Sequence, residues 1–427
     1  MNAAIIFILL LVLMLTGMPI SISLGLTVLT FLFGFTNVPL ESVALKLFTG
    51  IEKFEIMAIP FFILAGNFLT HGGVARRMIN FASSMVGHWY GGLGLAGVVA
   101  CALFAAVSGS SPATVVAIGS ILLPAMVKAG FPRSFGAGVI TTSGALGILI
   151  PPSIVMVMYS VATNTSVGAL FMAGVVPGLA LACVLGGVTW YRARKFNYPR
   201  LPQASWAERL KTFKASAWGL LLIVIVMGGI YTGMFTPTEA AAMSAVYAFV
   251  VAVFVYKDMS LKDVPRVLLN SANMSAMLLY IITNAVLFSF IMTNENIPQA
   301  LADWMLGHGL GMITFLLAVN VILLLAGNFM EPSSIVLIFA PILFPVAMKL
   351  GIDPVHFGII MVVNMEVGMC HPPVGLNLYV ASGITKMGIT ELTVAVWPWL
   401  LSMLGFLMVV TYWPGLSLWF PRILGMM

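Results

Sequence analysis

Apolar runs broken at intervals by glycine, proline or a short charged stretch make up most of this chain. A helix needs about 20 apolar residues to cross a bilayer, with about 17–25 usual. On that measure residues 2–16, 19–36, 54–70, 167–191, 217–235, 237–256, 272–293 and 391–413 are predicted spans. Two further apolar regions are interrupted near the middle: 91–127 by SGSSPAT (108–114), and 310–348 by GNFMEPSS (327–334). Each is followed by a segment broken at a double proline, GILIPPS (147–153) and GMCHPPVG (368–375). Amphipathic stretches precede both interrupted regions, at 74–88 and 297–306. They read either as helices lying along the two membrane surfaces or as ordinary loops with some helix.

The two halves are related. At a shift of 221, Ile121, Leu122, Pro124, Lys128, Gly130, Gly147, Pro151 and Pro152 meet Ile342, Leu343, Pro345, Lys349, Gly351, Gly368, Pro372 and Pro373. That is eight identities in 32 positions, where chance supplies roughly two or three. If the interrupted regions are re-entrant hairpins and each double-proline segment crosses once, residues 192–216 fall on the cytoplasmic side with fifteen Lys/Arg, leaving Lys46, Lys53, Lys349 and Arg422 opposite. The positive-inside rule expects that asymmetry. The same count opens the hairpins to opposite sides, so the repeats are inverted, as in secondary transporters. The predicted fold is an all-α integral membrane protein, an inverted-repeat secondary transporter with two re-entrant helical hairpins and two broken helices. It divides into 1–90 (scaffold helices and surface arm), 91–191 (first transport repeat), 192–216 (cytoplasmic linker), 217–309 (second scaffold helices and arm) and 310–427 (second transport repeat).

Composition strengthens this reading. The chain is 61% hydrophobic and only 7% charged, against about 25% charged in a soluble domain. A soluble enzyme, a disordered protein and a nucleic-acid binder are excluded. The net charge of +6 comes from short loops between spans and does not point to nucleic acid. Cys101, Cys183 and Cys370 are far apart in apolar stretches and form no disulfide framework or CxxC site. The N-terminal run lacks a basic n-region and reads as a retained helix, not a signal peptide. Trp397, Trp399, Trp413 and Trp419 suit interface belts, and His71, His88, His308 and His356, near span ends, are expected to face water or headgroups.

Irregular backbone at membrane depth is tolerated only against protein or a wet cavity. The four interrupted elements therefore point to one buried, hydrated site. Helix N-termini there present N–H groups suited to a carboxylate, and C-terminal ends present carbonyls suited to a small cation. Ser108, Ser110, Ser111 and Thr114 add hydroxyls in the first half; Asn328, Ser333, Ser334 and Asn364 add polar groups in the second. Glu331 and Glu366 are the only acids well inside predicted spans, where a carboxylate is functional by default. Glu331, at a hairpin tip, is the better neighbour for a sodium ion; Glu366 is either such a group or has a structural role, hydrogen-bonded or protonated. His371 either contacts substrate, carries a proton or makes a structural hydrogen bond. No phosphate loop, HExxH, haem CxxCH or GxSxG motif is present, so neither P-loop ATP hydrolysis nor these catalytic chemistries is expected.

The stretches 104–154 (FAAVSGSSPATVVAIGSILLPAMVKAGFPRSFGAGVITTSGALGILIPPSI) and 324–380 (LLAGNFMEPSSIVLIFAPILFPVAMKLGIDPVHFGIIMVVNMEVGMCHPPVGLNLYV) resemble the large membrane subunit of tripartite ATP-independent periplasmic (TRAP) transporters, most of all the dicarboxylate type. The resemblance extends over essentially the whole chain, including GMPISISLGL (17–26). It implies sodium-coupled import across the bacterial inner membrane by an elevator-type movement, not an enzyme and with no cofactor beyond Na+ as coupling ion. It implies two partners besides the bilayer: a small four-helix membrane subunit, expected as a separate polypeptide, and a periplasmic binding protein that delivers a small carboxylate, here a C4-dicarboxylate. Carried over by motif, one sodium site uses Ser108, Ser111, Gly144, Gly147 and Ile150; the pseudo-symmetric one uses Gly327, Met330, Glu331, Gly368 and Cys370. Substrate lies between them, near Ser110, Pro112, Thr114, Ser153, Ser333, Ser334, His371, Pro373 and Asn377. The tips differ, Ser-Pro at 111–112 against Glu-Pro at 331–332, so the two sites are chemically unequal. Two rival readings remain: a stand-alone sodium/carboxylate symporter with no binding protein, and an intramembrane enzyme built on a pair such as Ser110 and His371.

Overall fold

A computed structural model describes residues 2–36, 38–309, 311–373 and 375–426. Leu310, where the second transport repeat was expected to begin, Val374 of the second double-proline segment, and the outer bounds Met1 and Met427 lie outside the described residues. Among the described residues every regular element is helical, and eight helices are long and apolar enough to cross a membrane. Six of the predicted spans are among them: Phe54–Met57 running into Ala58–His71, Val167–Lys195, Trp206–Tyr231, Pro237–Val250 with a π-helical continuation to Val255, Val264–Asn294 and Ile389–Tyr412. The first two predicted spans appear as shorter apolar helices, Asn2–Leu15 and Ile20–Phe35, and the other two long helices are Ser111–Lys128 and Pro332–Lys349.

The chain sets these boundaries with local signals. Ser153, Ser166, Ser205, Thr236 and Asp353 each accept a backbone N–H of the helix they precede, satisfying donors that have no partner within the helix. At Thr236 a reciprocal capping box with Glu239 completes the start. The polar stretch 192–216 is mostly helix, because Val167–Lys195 runs into it and Trp206 begins the next span; only 196–205 is irregular. Charged residues at a helix end are solvated without ending the helix, and composition alone therefore placed the boundary too early. Two short helices, Leu40–Thr49 and Gly415–Ile423, were not foreseen.

Both interrupted regions are helical hairpins: Gly92–Ser108 with Ser111–Lys128, and Met312–Gly327 with Pro332–Lys349. The first turn needs only Gly109 and Ser110, with Gly109 at φ +60°, a region glycine enters without cost. Each hairpin is followed by a helix that stops and restarts: Arg133–Ser143 continuing as Gly144–Ile148, then Ile154–Thr163; and Pro354–Cys370, then Leu376–Thr385. The Pro-Pro bond of each pair, Pro151–Pro152 and Pro372–Pro373, is cis. Helix starts at 111, 133 and 154 meet 332, 354 and 376, so the 221-residue shift holds within a residue or two across the unit.

The hairpin tips reach the breaks. A Cβ on Gly109 would lie 2.9 Å from the Pro152 carbonyl oxygen, and one on Gly327 would lie 3.0 Å from the Gly368 Cα. Since each break lies partway along a crossing segment, each tip stops inside the layer, and the hairpins are re-entrant. Between them run five crossings: the first broken helix, Val167–Lys195, Trp206–Tyr231, Pro237–Val255 and Val264–Asn294. Val74–Val86 and Ile297–Gly307, the two predicted arms, are helices too short to cross. Five is odd, so the hairpins open to opposite sides and the repeats are inverted.

One continuous apolar core joins the halves. Ile154–Thr163 packs on Pro332–Lys349, and the Tyr159 hydroxyl donates to the Pro354 carbonyl at 2.7 Å. Two expected surface groups belong to this interior. Trp399 is fully buried, stacked edge-on against Phe135 and donating Nε1–H to Thr189 at 2.9 Å, so it is no interface residue. His356 is 2% exposed, hydrogen-bonded to Ser417 Oγ at 2.7 Å, and faces neither water nor headgroups. The closing helix Gly415–Ile423, invisible to hydropathy, covers it.

Candidate functional site

A cavity of about 350 Å³ lies where the two hairpin tips and the two breaks converge. Its walls include Ser110, Ser111 and Pro112 from the first tip and Glu331, Pro332 and Ser333 from the second. Ile148, Ile154, Met369 and Leu376 come from the broken helices. Four helices therefore begin at this cavity, at Ser111, Pro332, Ile154 and Leu376. Each directs its partial positive end and unsatisfied N–H groups toward the space. This gathering of N-termini supplies positive potential without a Lys or Arg in the lining.

The opposite helix ends meet just behind. Gly147 approaches the first tip so closely that a Cβ would lie 2.6 Å from the Ser110 carbonyl oxygen. Gly368 and Gly327, their counterparts, pack backbone on backbone. Bare backbone at both crossings brings the carbonyl-bearing ends at Ser108, Ile148, Gly327 and Cys370 beside the turns. Oxygen donors of this kind, hydroxyl and carbonyl, fit an alkali cation; no group of three His, Cys, Asp or Glu side chains suited to a transition metal occurs among the described residues.

Hydrogen bonds hold the first tip in shape. Ser108 Oγ and Thr114 Oγ1 are 2.9 Å apart, and Thr114 donates to the Ser110 carbonyl at 2.8 Å. Ser111 is tied to the other repeat: Asn377 Nδ2 donates to Ser111 Oγ at 2.8 Å and also reaches the Thr141 carbonyl at 3.3 Å. Cys370 Sγ lies 3.5 Å from that same carbonyl. In the second tip Ser334 Oγ donates to Glu331 Oε1 at 3.1 Å, and His371 Nδ1 lies 2.9 Å from Asn328 Oδ1. Ser153 Oγ donates to the Ile148 carbonyl at 2.6 Å while capping the restarted helix.

The nominated residues thus differ in their distance from the cavity. Ser110, Pro112 and Ser333, with Ser111 and Glu331, line the cavity. Thr114, Ser153, Ser334 and Asn377 are buried behind it, engaged in the bonds just described. Ser108, Gly144, Gly147, Ile150, Gly327, Gly368 and Cys370 are likewise buried at the two tip–break crossings, whereas Met330 and His371 are partly open and Pro373 is exposed. Asn364 bonds Asn320 at 2.9 Å, away from the cavity. Glu366 is fully buried, and neither carboxyl oxygen has a hydrogen-bond partner among the described residues.

The remaining wall was missed. Asn67 and Thr70 from Ala58–His71, and Met274, Met277 and Leu278 from Val264–Asn294, close the cavity on one side. Asn67 Nδ2 donates to Ser271 Oγ at 2.7 Å, bracing the two helices, and a Cβ on Gly66 would lie 3.1 Å from the Ser108 carbonyl oxygen. An amide inside an otherwise apolar span was the available signal.

Residues 7–416 match the family described as "Tripartite ATP-independent periplasmic transporter, DctM component". The chain is 76% identical, over the full length of both proteins, to the C4-dicarboxylate TRAP transporter large permease protein DctM of Rhodobacter capsulatus. It is 55% identical to the same-named protein of Pseudomonas aeruginosa, over 95% of each chain. It is 36% identical to the sialic acid TRAP transporter large permease protein SiaM of Vibrio cholerae, over 96% of each. Among solved structures, the Alcanivorax borkumensis YdaH transporter superposes with a TM-score of 0.63 at 16% identity, covering 89% of this chain and 90% of that one. This last likeness concerns the fold alone.

Proposed function

Since the chain belongs to the DctM-component family of tripartite ATP-independent periplasmic transporters, we propose that it imports C4-dicarboxylates by sodium coupling. It is a large permease subunit and not an enzyme, a multi-pass protein of the bacterial inner membrane. The observation that carries the substrate class is the 76% identity, end to end, with a relative named for C4-dicarboxylates. The relative named for sialic acid stands much further away, at 36%. The cavity supports the same class: it is small, and four helix N-termini offer N–H groups to two carboxylates without a fixed cation.

Substrate is taken to lie against Ser110, Pro112 and Ser333, with Thr114, Ser153, Ser334, His371, Pro373 and Asn377 shaping the site around it. Sodium is assigned to the two tip–break crossings: Ser108, Ser111, Gly144, Gly147 and Ile150 at one, Gly327, Met330, Glu331, Gly368 and Cys370 at the other. A cation at each crossing stabilises the carbonyl ends and holds the tips so that the N-termini converge, which couples ion binding to carboxylate binding. In an elevator cycle 91–191 and 310–427 travel together past a scaffold of 1–90 and 217–309, the wall of Asn67, Thr70, Met274 and Met277 being the face they slide along. A small four-helix subunit packs on that scaffold, and a periplasmic binding protein delivers the substrate.

The test is uptake of labelled succinate into proteoliposomes holding this chain, the small subunit and the cognate binding protein, with and without an inward sodium gradient. Sodium-dependent uptake that vanishes without the binding protein is expected. The same dependence with another carboxylate and none with succinate overturns the substrate class; uptake without the binding protein favours a stand-alone symporter.

A further inference from the structure

The formal charge of this chain resides in one place. Residues 192–216 hold seven Lys/Arg and one acid, Glu208, while the remaining twelve bases are matched by twelve acids. None of the seven is in an ion pair; the pairs among the described residues involve Arg76, Arg77 and Lys349. Nor do they hang on a loose loop. Leu201 N–H donates to the Gly87 carbonyl at 3.0 Å, Tyr198 N–H to the Ala193 carbonyl at 2.9 Å, and the Tyr198 ring packs 4.7 Å from Phe135. Aromatic faces back the guanidinium groups: Arg200 lies 4.2 Å over Tyr90, Arg209 5.1 Å over Trp206, and Arg192 5.1 Å over Trp399. Such stacking leaves the in-plane N–H fork free. Arg192 Nε and Arg209 Nε are buried donors with no acceptor among the described residues. Beside the charges stand large exposed apolar side chains, Tyr191, Phe196, Trp206 and Leu210.

We propose that residues 190–214 are a docking surface for the phosphodiester headgroups of anionic membrane lipids. A fixed field of unpaired cations calls for anions, and guanidinium forks suit phosphate oxygens. The exposed apolar collar selects lipid over free phosphate, because headgroups bring acyl chains that cover Trp206 and Leu210 while an inorganic anion leaves them in water. Bound lipid would anchor the junction between the halves to the membrane surface.

The test uses the full chain in nanodiscs of equal phosphatidylcholine and phosphatidylglycerol, with retained lipids counted by native mass spectrometry. Wild type is expected to retain phosphatidylglycerol selectively. Arg194→Gln/Arg200→Gln/Lys211→Gln/Lys214→Gln is expected to lose that retention, about fivefold for each charge removed. Orientation is preserved, since eleven Lys/Arg remain on that side against four. Should the quadruple variant fold poorly, Arg200→Gln alone, in the irregular segment, reads the same loss on a smaller scale. Equal retention of both lipids by wild type, unchanged retention in the variants, or displacement of lipid by inorganic phosphate at constant ionic strength would each overturn the proposal.

Discussion

Glu331 sits at a helix N-terminus, with Ser334 as its side-chain partner and the cavity on its other side. A carboxylate there offsets the positive end of Pro332–Lys349 and remains available to a cation. Glu331→Gln keeps the shape and removes the charge. The sodium concentration for half-maximal uptake is expected to rise about tenfold, the equivalent of roughly 1.4 kcal/mol; an unchanged sodium titration would remove Glu331 from the ion site. Gly368 tests packing instead of charge. A Cβ there lies 3.1 Å from the Gly327 Cα, and valine adds two methyl groups to that crossing. Gly368→Val is expected to cost about 1–3 kcal/mol through overpacking and to abolish uptake. A wild-type melting temperature with wild-type uptake would mean that the close crossing is dispensable.

Among the elements, the restarted helix Ile154–Thr163 has an end that hydropathy does not explain. Asn164 closes it in the left-handed region, and Lys53, from the segment leading into Ala58–His71, donates to the Val161 carbonyl and to Asn164 Oδ1 at 2.5 and 2.7 Å. An ammonium at a helix C-terminus is worth roughly 0.3–1 kcal/mol. Lys53→Met is therefore expected to speed amide hydrogen exchange in 160–166 several-fold; exchange at the wild-type rate would show that the contact is not holding the helix end. Elements also show where reading from sequence stopped. The hairpins were legible because Gly109, Pro112 and Pro332 interrupt apolar runs at membrane depth, which a plain span does not tolerate. Gly415–Ile423 was not, because nine residues are far too few for a span and Pro421 falls in the last turn.

For the molecule as a whole, inversion of the repeats is the feature with the widest consequences. A cysteine replacing Ala129, at the open end of the first hairpin, and one replacing Leu350, at the open end of the second, should react with an impermeant maleimide from opposite sides. Cysteine at position 200 should react from the side of Ala129 only. Labelling of 129 and 350 from one face would contradict the odd number of crossings between them. The same symmetry makes the cavity: two hairpins entering from opposite faces place their second-arm N-termini in one space, and neither half can build it alone.

Most spans, the hairpins and the breaks were written in local pattern, because each follows from what a bilayer permits a backbone to do, and the relation of the halves was written in identities repeated at a shift of 221. Helix ends within charged segments were not, since a solvated helix continues past its last apolar residue, as Val167–Lys195 does. Side-chain company was also beyond reach. Asn377 was nominated for substrate and Ser111 for sodium, yet they are hydrogen-bonded to each other across 266 positions. Trp399 and His356 looked peripheral by position and are enclosed by helices distant in the chain. Asn67 and Thr70 reach the cavity only because their helix packs against the first tip at Gly66. Periodicity and proline placement act over a few residues and can be read in order; which polar groups share a cavity depends on contacts between segments hundreds of residues apart, and these arise only when the two halves close on one another.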